Sequence, residues 1–123
     1  MPIFDALTPA EIATVKKAGT ELPLPAGWSP INERTGADKA YIILEGEVSV
    51  RRGGEEIATL GPGDIMGEMA IVNHTLRSAT VVATTRLKVV HLTPQAIEEL
   101  SSSVPAFGTA IRAAAAERLG GNA

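Results

Sequence analysis

The chain has 123 residues, of which 45% are hydrophobic and 20% charged, the mix of one globular domain and not of a disordered chain. Eleven Lys+Arg against fourteen Asp+Glu give a net charge of -3, so no bulk charge draws the protein to nucleic acid or to an anionic membrane. The absence of Cys excludes disulfides, zinc–thiolate sites, iron–sulfur clusters and Cys nucleophiles, and two histidines, His74 and His91, cannot supply the usual three-ligand catalytic metal site.

The longest strongly apolar run, Ala40–Leu44, is far short of a membrane span. Met1-Pro2-Ile3-Phe4-Asp5 has neither the basic start nor the apolar stretch of a signal peptide, so a cytoplasmic protein is expected. Thr8-Pro9-Ala10-Glu11 predicts a helix start: Thr8 as N-cap, Pro9 at the first helical position, Glu11 closing a capping box. Ile12, Val15 and Ala18 follow at helical spacing, and Gly19 ends the helix. Pro23, Pro25, Gly27 and Pro30 then break any helix. Lys39–Glu45 reads as a buried strand, and Glu47–Arg52 as an alternating strand with Val48 and Val50 on one face.

Arg52-Gly53-Gly54-Glu55 predicts a tight hairpin, because its glycines permit the positive φ of a primed turn, with Ile57–Leu60 as the return strand. Gly61-Pro62-Gly63-Asp64 is a second turn. Thr80–Thr84 and Leu87–Leu92 are two more strands. Thr93-Pro94 repeats the cap logic of Thr8-Pro9, with Ile97 and Leu100 as apolar positions. Ser101-Ser102-Ser103 predicts a break with Ser103 capping a final helix, along which Phe107, Ile111, Ala115 and Leu119 form one stripe before Gly120-Gly121. Short strands separated by Gly/Pro turns and flanked by helices predict a small antiparallel barrel or sandwich.

The stretch from Gly67 to Val81 carries the chemistry. Gly67 lets the backbone turn and a ligand approach. Glu68 is a carboxylate acceptor for hydroxyls. Residues 68–72 can form one helical turn whose free N–H groups suit an anion. Arg77, nine residues after Glu68, offers a fork of donors to a phosphate, beside the small Ser78 and Ala79. The combination suits a ligand with one phosphate and one sugar hydroxyl.

Gly67-Glu68-Met69-Ala70-Ile71 and Arg77-Ser78-Ala79 resemble the phosphate-binding cassette of the cyclic nucleotide-binding domain family, whose members include catabolite activator proteins and protein kinase A regulatory subunits. Ala26-Gly27, Tyr41–Val48 and Leu60-Gly61-Pro62-Gly63-Asp64 also stand in the family's order, so the resemblance covers nearly the whole chain. It implies a mainly β fold, an antiparallel, jelly-roll-like β-roll over 21–92 with the cassette at 67–79. An N-terminal helix over 1–20 and C-terminal helices over 93–121 would flank it. It implies that Glu68 accepts the ribose 2′-hydroxyl and Arg77 pairs with the cyclic phosphate. It also implies that the backbone N–H groups of Ala70 and Ser78 donate to that phosphate, that Gly67 permits close approach, and that Met69 and Ala79 belong to the same loop. The resemblance further implies, through Ser78, cAMP rather than cGMP as the ligand.

Three departures stand out. Leu76 replaces a common Pro, leaving the loop less pre-organised. Arg34-Thr35 stands where an acid commonly orients the cassette Arg, a role open to Glu33 or Asp38. The aromatic lid over the base is open to Phe107, with Arg112 stacking, or Ile111 and Leu119 covering, as alternatives. Outside the cassette, Trp28 reads as a packing residue, His74 as exposed, His91 as structural or half-buried, and Ala113–Ala116 as helix propensity and close packing.

The expected function is a stand-alone cyclic nucleotide sensor, signalling through its C-terminal helices to a protein effector or a homo-oligomer. No nucleic acid, membrane, metal or further cofactor is expected. The alternative is a nucleotide-independent interaction domain on a degenerate version of the fold. Catalysis is not expected, since no Ser-His-Asp or metal arrangement is evident.

Overall fold

The computed structural model describes residues 3–29, 40–66 and 80–120, the side chains of 114–120 excepted. Among these residues, a 3-10 helix at Ile3–Ala6 precedes α1 (Pro9–Ala18). Seven strands follow: β1 (Thr20–Leu24), β2 (Ala40–Glu45), β3 (Val48–Arg52), β4 (Glu55–Leu60), β5 (Ile65–Met66), β6 (Thr80–Ala83) and β7 (Leu87–Leu92). Two helices close the chain, α2 (Pro94–Ser103) and α3 (Pro105–Gly120). The strands form a four-stranded sheet in the order β1-β7-β2-β5 and a three-stranded sheet in the order β4-β3-β6, with every pairing antiparallel. The expected mainly β architecture with flanking helices is the one observed.

Local chemistry sets the ends of α1. The Glu11 N–H donates to Thr8 Oγ1 at 3.2 Å and the Thr8 N–H to Glu11 Oε1 at 2.8 Å, the reciprocal capping box expected from the sequence. Gly19 ends the helix in an extended conformation (φ −105°), so no left-handed cap is involved. Glycine is needed there for space: a Cβ would lie 2.7 Å from the His91 carbonyl oxygen and 2.8 Å from Leu92 Cδ2.

The four-stranded sheet separates two cores. Ala40, Ile42, Ile65, Val90 and Leu92 face outward onto Val15, Ile97, Leu100, Phe107 and Ile111 of the helices. Tyr41, Ile43, Met66, Leu87 and Val89 face inward, onto Val48, Val50, Val81 and Ala83 of the three-stranded sheet. This is the period-two alternation of a strand buried on both faces. It explains why Ala40–Leu44 reads as a continuous apolar run.

The chain crosses between sheets at two touching corners, β2 to β3 through Gly46-Glu47 and β6 to β7 through Thr84–Arg86. The Glu47 N–H donates to Thr85 Oγ1 at 3.0 Å, and the Thr84 N–H to the Glu47 carbonyl at 3.1 Å. Gly46 has φ +96°, and a Cβ there would meet the Arg86 carbonyl oxygen, Leu87 Cδ2 and Thr85 Oγ1.

Several elements differ from the sequence reading. β1 includes Pro23, which is tolerated because β1 is an edge strand. The two-residue β5 exists through its pairing with Tyr41 and Ile42. The hairpin at Gly53-Gly54 forms as expected, with φ +61° and +83°, but its return strand starts at Glu55 and bulges at Ile57. The three serines do not break the chain: they complete α2, where Ser101 Oγ donates to the Ile97 carbonyl at 2.7 Å and Ser103 Oγ to that of Glu99 at 3.0 Å. The break falls on Val104 (φ −127°, ψ 84°), the residue that Pro105 forces out of helical geometry. Val104, not Ser103, supplies the carbonyl that opens α3, accepting from the Phe107 N–H at 2.9 Å.

Candidate functional site

The site expected from the sequence, Gly67, Glu68, Met69, Ala70, Arg77, Ser78 and Ala79, lies outside the described residues, as do Glu33, Asp38 and His74. The residues that hold both ends of 67–79 are described. At one end, β5 runs from the Gly61–Asp64 turn to Met66. Asp64 Oδ2 accepts from the Gly61 N–H at 2.9 Å, and the Asp64 N–H donates to the Gly61 carbonyl at 3.0 Å. The Gly63 N–H donates to the Ile43 carbonyl at 2.7 Å, and the Ile43 N–H to that of Asp64 at 2.9 Å. The Ile3 N–H donates to the Gly63 carbonyl at 2.7 Å, tying the N-terminal 3-10 helix to the same turn. Ile65 and Met66 are buried, so the chain reaches Gly67 from a fixed point.

At the other end, Thr80 opens β6 opposite Arg51 of β3. The stretch before Pro30 guards the outer side of β6. The Gly27 N–H donates to the Ala83 carbonyl at 2.8 Å, the Ala83 N–H to that of Trp28 at 2.9 Å, and Ser29 Oγ to that of Val81 at 2.9 Å. β2 runs toward the Gly46 corner and β3 away from it. Tyr41 with its partner Met66, and Arg51 with its partner Thr80, therefore mark the strand ends away from the corners. Met66 and Thr80, the described residues on either side of 67–79, thus lie in different sheets at the end of the roll opposite its corners.

Among the described residues, the buried side chains of the roll interior carry no charge. Its buried residues are Tyr41, Ile43, Val48, Val50, Met66, Val81, Ala83, Leu87 and Val89. Across the four-stranded sheet, Thr20, His91, Tyr41 and Met66 stand opposite one another in a single row. The rings of Tyr41 and His91 lie 5.7 Å apart, tilted by 43°. His91 is half-buried, as the sequence suggested. Its place in this inner row was not foreseen, although the alternation of Leu87, Val89 and His91 carried the signal.

The candidates for a base lid separate. Phe107 is fully buried among Ile3, Val15, Ile42, Leu100 and Ile111, on the face of the four-stranded sheet away from the roll interior. It packs the core here, and Ile111 does the same. Arg112 is exposed on α3. The side chain of Leu119 is not among those described. Trp28, read as a packing residue, is 53% exposed. Ser49 reverses that pattern: the outward residue of an alternating strand, it is fully buried, donating to Glu56 Oε1 at 2.7 Å and accepting from Arg51 Nε at 3.1 Å.

No described helix is long and apolar enough to cross a membrane. The family model described as "Cyclic nucleotide-binding domain" matches residues 21–103. A cyclic nucleotide-gated potassium channel of Rhizobium etli is 34% identical over 121 residues, covering 98% of this chain and 34% of the channel. The chain therefore spans about a third of that relative's length. Among solved structures, the catabolite activator protein of Thermus thermophilus superposes with a TM-score of 0.85 at 27% identity, over 97% of this chain and 58% of that one. The regulatory domain of Toxoplasma gondii PKA, crystallised with cAMP, gives 0.69 at 27% identity, over 80% of this chain and 39% of that one. The matched family model, the order of strands and helices, and these likenesses agree, and the chain belongs to the cyclic nucleotide-binding domain family.

Proposed function

We propose that the protein is a cytoplasmic sensor that binds cAMP in preference to cGMP through residues 67–79. Glu68 accepts the ribose 2′-hydroxyl, and Arg77 pairs with the cyclic phosphate. The N–H groups of Ala70 and Ser78 add donors to that phosphate. Gly67 lets the ribose approach, and Met69 and Ala79 complete the loop. The observation that carries this reading is topological: the chain leaves the four-stranded sheet at Met66 and re-enters the three-stranded sheet at Thr80, both at the end of the roll away from its corners, where the described buried side chains carry no charge. Such a floor suits a base or a sugar face but offers no counter-charge to a phosphate. The anion is then met by Arg77, whose guanidinium offers a fork of donors. The cAMP in the crystal of the Toxoplasma relative supports the choice of ligand.

The output is a population shift in α3, which packs on α2 and on the N-terminal 3-10 helix. With Phe107 and Ile111 committed to the core, Arg112 is the candidate among the described side chains for stacking on the base. The signal passes to a protein effector or a second copy of the chain, without turnover of the ligand. Titration calorimetry with cAMP and cGMP tests the reading. Saturable binding with cAMP the tighter ligand is expected. No heat from either nucleotide at millimolar concentration would leave the fold as an interaction module that works without nucleotide.

A further inference from the structure

A single residue, Val104, joins the two C-terminal helices. Its side chain is buried. Its N–H donates to the Leu100 carbonyl at 2.7 Å, and its carbonyl accepts from the Phe107 N–H at 2.9 Å and the Gly108 N–H at 3.4 Å. Both of its backbone groups are therefore engaged, one with each helix. One turn further along, Gly108 of α3 is buried against Ser101 of α2. A Cβ on Gly108 would lie 3.1 Å from Ser101 Cβ and 3.3 Å from Ser101 Cα. The missing side chain lets the two helices cross this closely.

The attachment of these helices to the rest of the molecule is of another kind. Ile97, Leu100, Phe107 and Ile111 pack on the outer face of the four-stranded sheet. Among the described residues, the hydrogen bonds of α2 and α3 stay within the helices, their caps and the Val104 joint. Apolar contact has no preferred direction and permits small sliding of a packed helix, whereas hydrogen bonds and a close crossing fix the geometry. Thr93 alone connects the end of β7 to α2, and it is exposed. Its cap bonds point into α2: Thr93 Oγ1 accepts from the Ala96 N–H at 3.1 Å and its carbonyl from the Ile97 N–H at 3.0 Å.

We infer that α2 and α3 form one rigid hairpin, locked at Val104 and at the Ser101–Gly108 crossing, and that a nucleotide signal moves the pair together about Thr93 instead of bending the chain between them. The inference rests on the function proposed above, which makes α3 the output element. Bending at Val104 breaks its bonds to Leu100, Phe107 and Gly108 and exposes a buried valine. Sliding the hairpin over the sheet exchanges one set of apolar contacts for another and leaves those bonds intact. Gly108 is then a positioning residue: it sets the angle at which α3 leaves α2.

The chain has no Cys, so pairs of spin labels go in without background. Gln95→Cys with Ala113→Cys spans the hairpin, and Thr59→Cys with Ala113→Cys spans the roll and α3, all three positions being exposed. Distances are measured by electron spin resonance before and after saturation with cAMP, with calorimetry of the same proteins to establish binding. The first distance is expected to hold within about 1 Å and the second to change by about 2 Å or more, the upper scale of ordinary helix shifts. A first distance that changes as much as the second would overturn the inference and leave the nucleotide reading intact. Two unchanged distances in a protein that binds cAMP would overturn the inference together with α3 as the output. Absence of cAMP binding would overturn the nucleotide reading and the signal with it. Hydrogen exchange of the unlabelled, ligand-free chain tests the lock separately. The Val104, Phe107 and Gly108 amides are expected to be protected to within about tenfold of those of Leu100 and Ile111. Exchange roughly a hundredfold faster at those three amides would make Val104 a hinge and overturn the inference.

Discussion

Gly46→Ala isolates the close approach of the two corners that hold the roll together. Alanine at φ +96° costs about 1–2 kcal/mol in backbone strain. Its Cβ also meets the Arg86 carbonyl, and lies 2.8 Å from both Leu87 Cδ2 and Thr85 Oγ1. The carbonyl belongs to the backbone and moves only if the β6–β7 corner moves, which adds about 1–3 kcal/mol of overpacking. The expected total is about 2–5 kcal/mol. Gly54→Ala is the control, since its φ is +83° but nothing lies within 4 Å of the added carbon. Strain alone, about 1–2 kcal/mol, is expected there. Urea unfolding gives both free energies, and thermal melts give Tm shifts of about 3–6 °C per kcal/mol in a domain of this size. Equal losses in the two variants would show that the corners do not constrain each other, and would refute the reasoning.

Three further outcomes are expected. Phe107→Ala should cost about 3–5 kcal/mol in chemical denaturation, because the ring is fully buried against two helices and a sheet. Arg112→Ala should leave stability within about 0.5 kcal/mol, while weakening cAMP binding roughly three- to fivefold if the guanidinium stacks on the base. Thr8→Ala should cost about 1 kcal/mol through loss of the α1 cap, read by urea unfolding.

The parts of the fold that could be read in advance are those fixed by local chemistry. Thr8 with Glu11, Thr93 with Pro94, and Gly53-Gly54 each specify their turn or cap within four residues, and each forms as expected. β1 and β5 could not be read so, because neither carries its own signal. Pro23 argues against a strand until β7 offers an edge, and Ile65-Met66 is a strand only against β2. The serines of α2 misled for the same reason: their hydroxyls return to carbonyls one turn back, and the stop comes from Pro105. Ser49 shows the limit of alternation, since an outward position became buried under Arg51 and Glu56. The candidate site was legible as a motif, Gly67-Glu68 with Arg77-Ser78, because phosphate chemistry restricts residue types more tightly than it restricts strand boundaries. Phe107 and Arg112 were not separable from helical spacing alone; packing against the outer face of the four-stranded sheet buries Phe107 and leaves Arg112 exposed.

The central claim is that Arg77 holds the phosphate of a cyclic nucleotide. Calorimetric titration of cAMP into wild type and into Arg77→Glu tests it most directly, with circular dichroism to verify that the variant is folded. The account predicts saturable wild-type binding and a loss of at least about 2–5 kcal/mol in the variant, roughly 30-fold or more, because a like charge replaces the counter-ion of the phosphate. Equal affinities in a folded Arg77→Glu variant would contradict it.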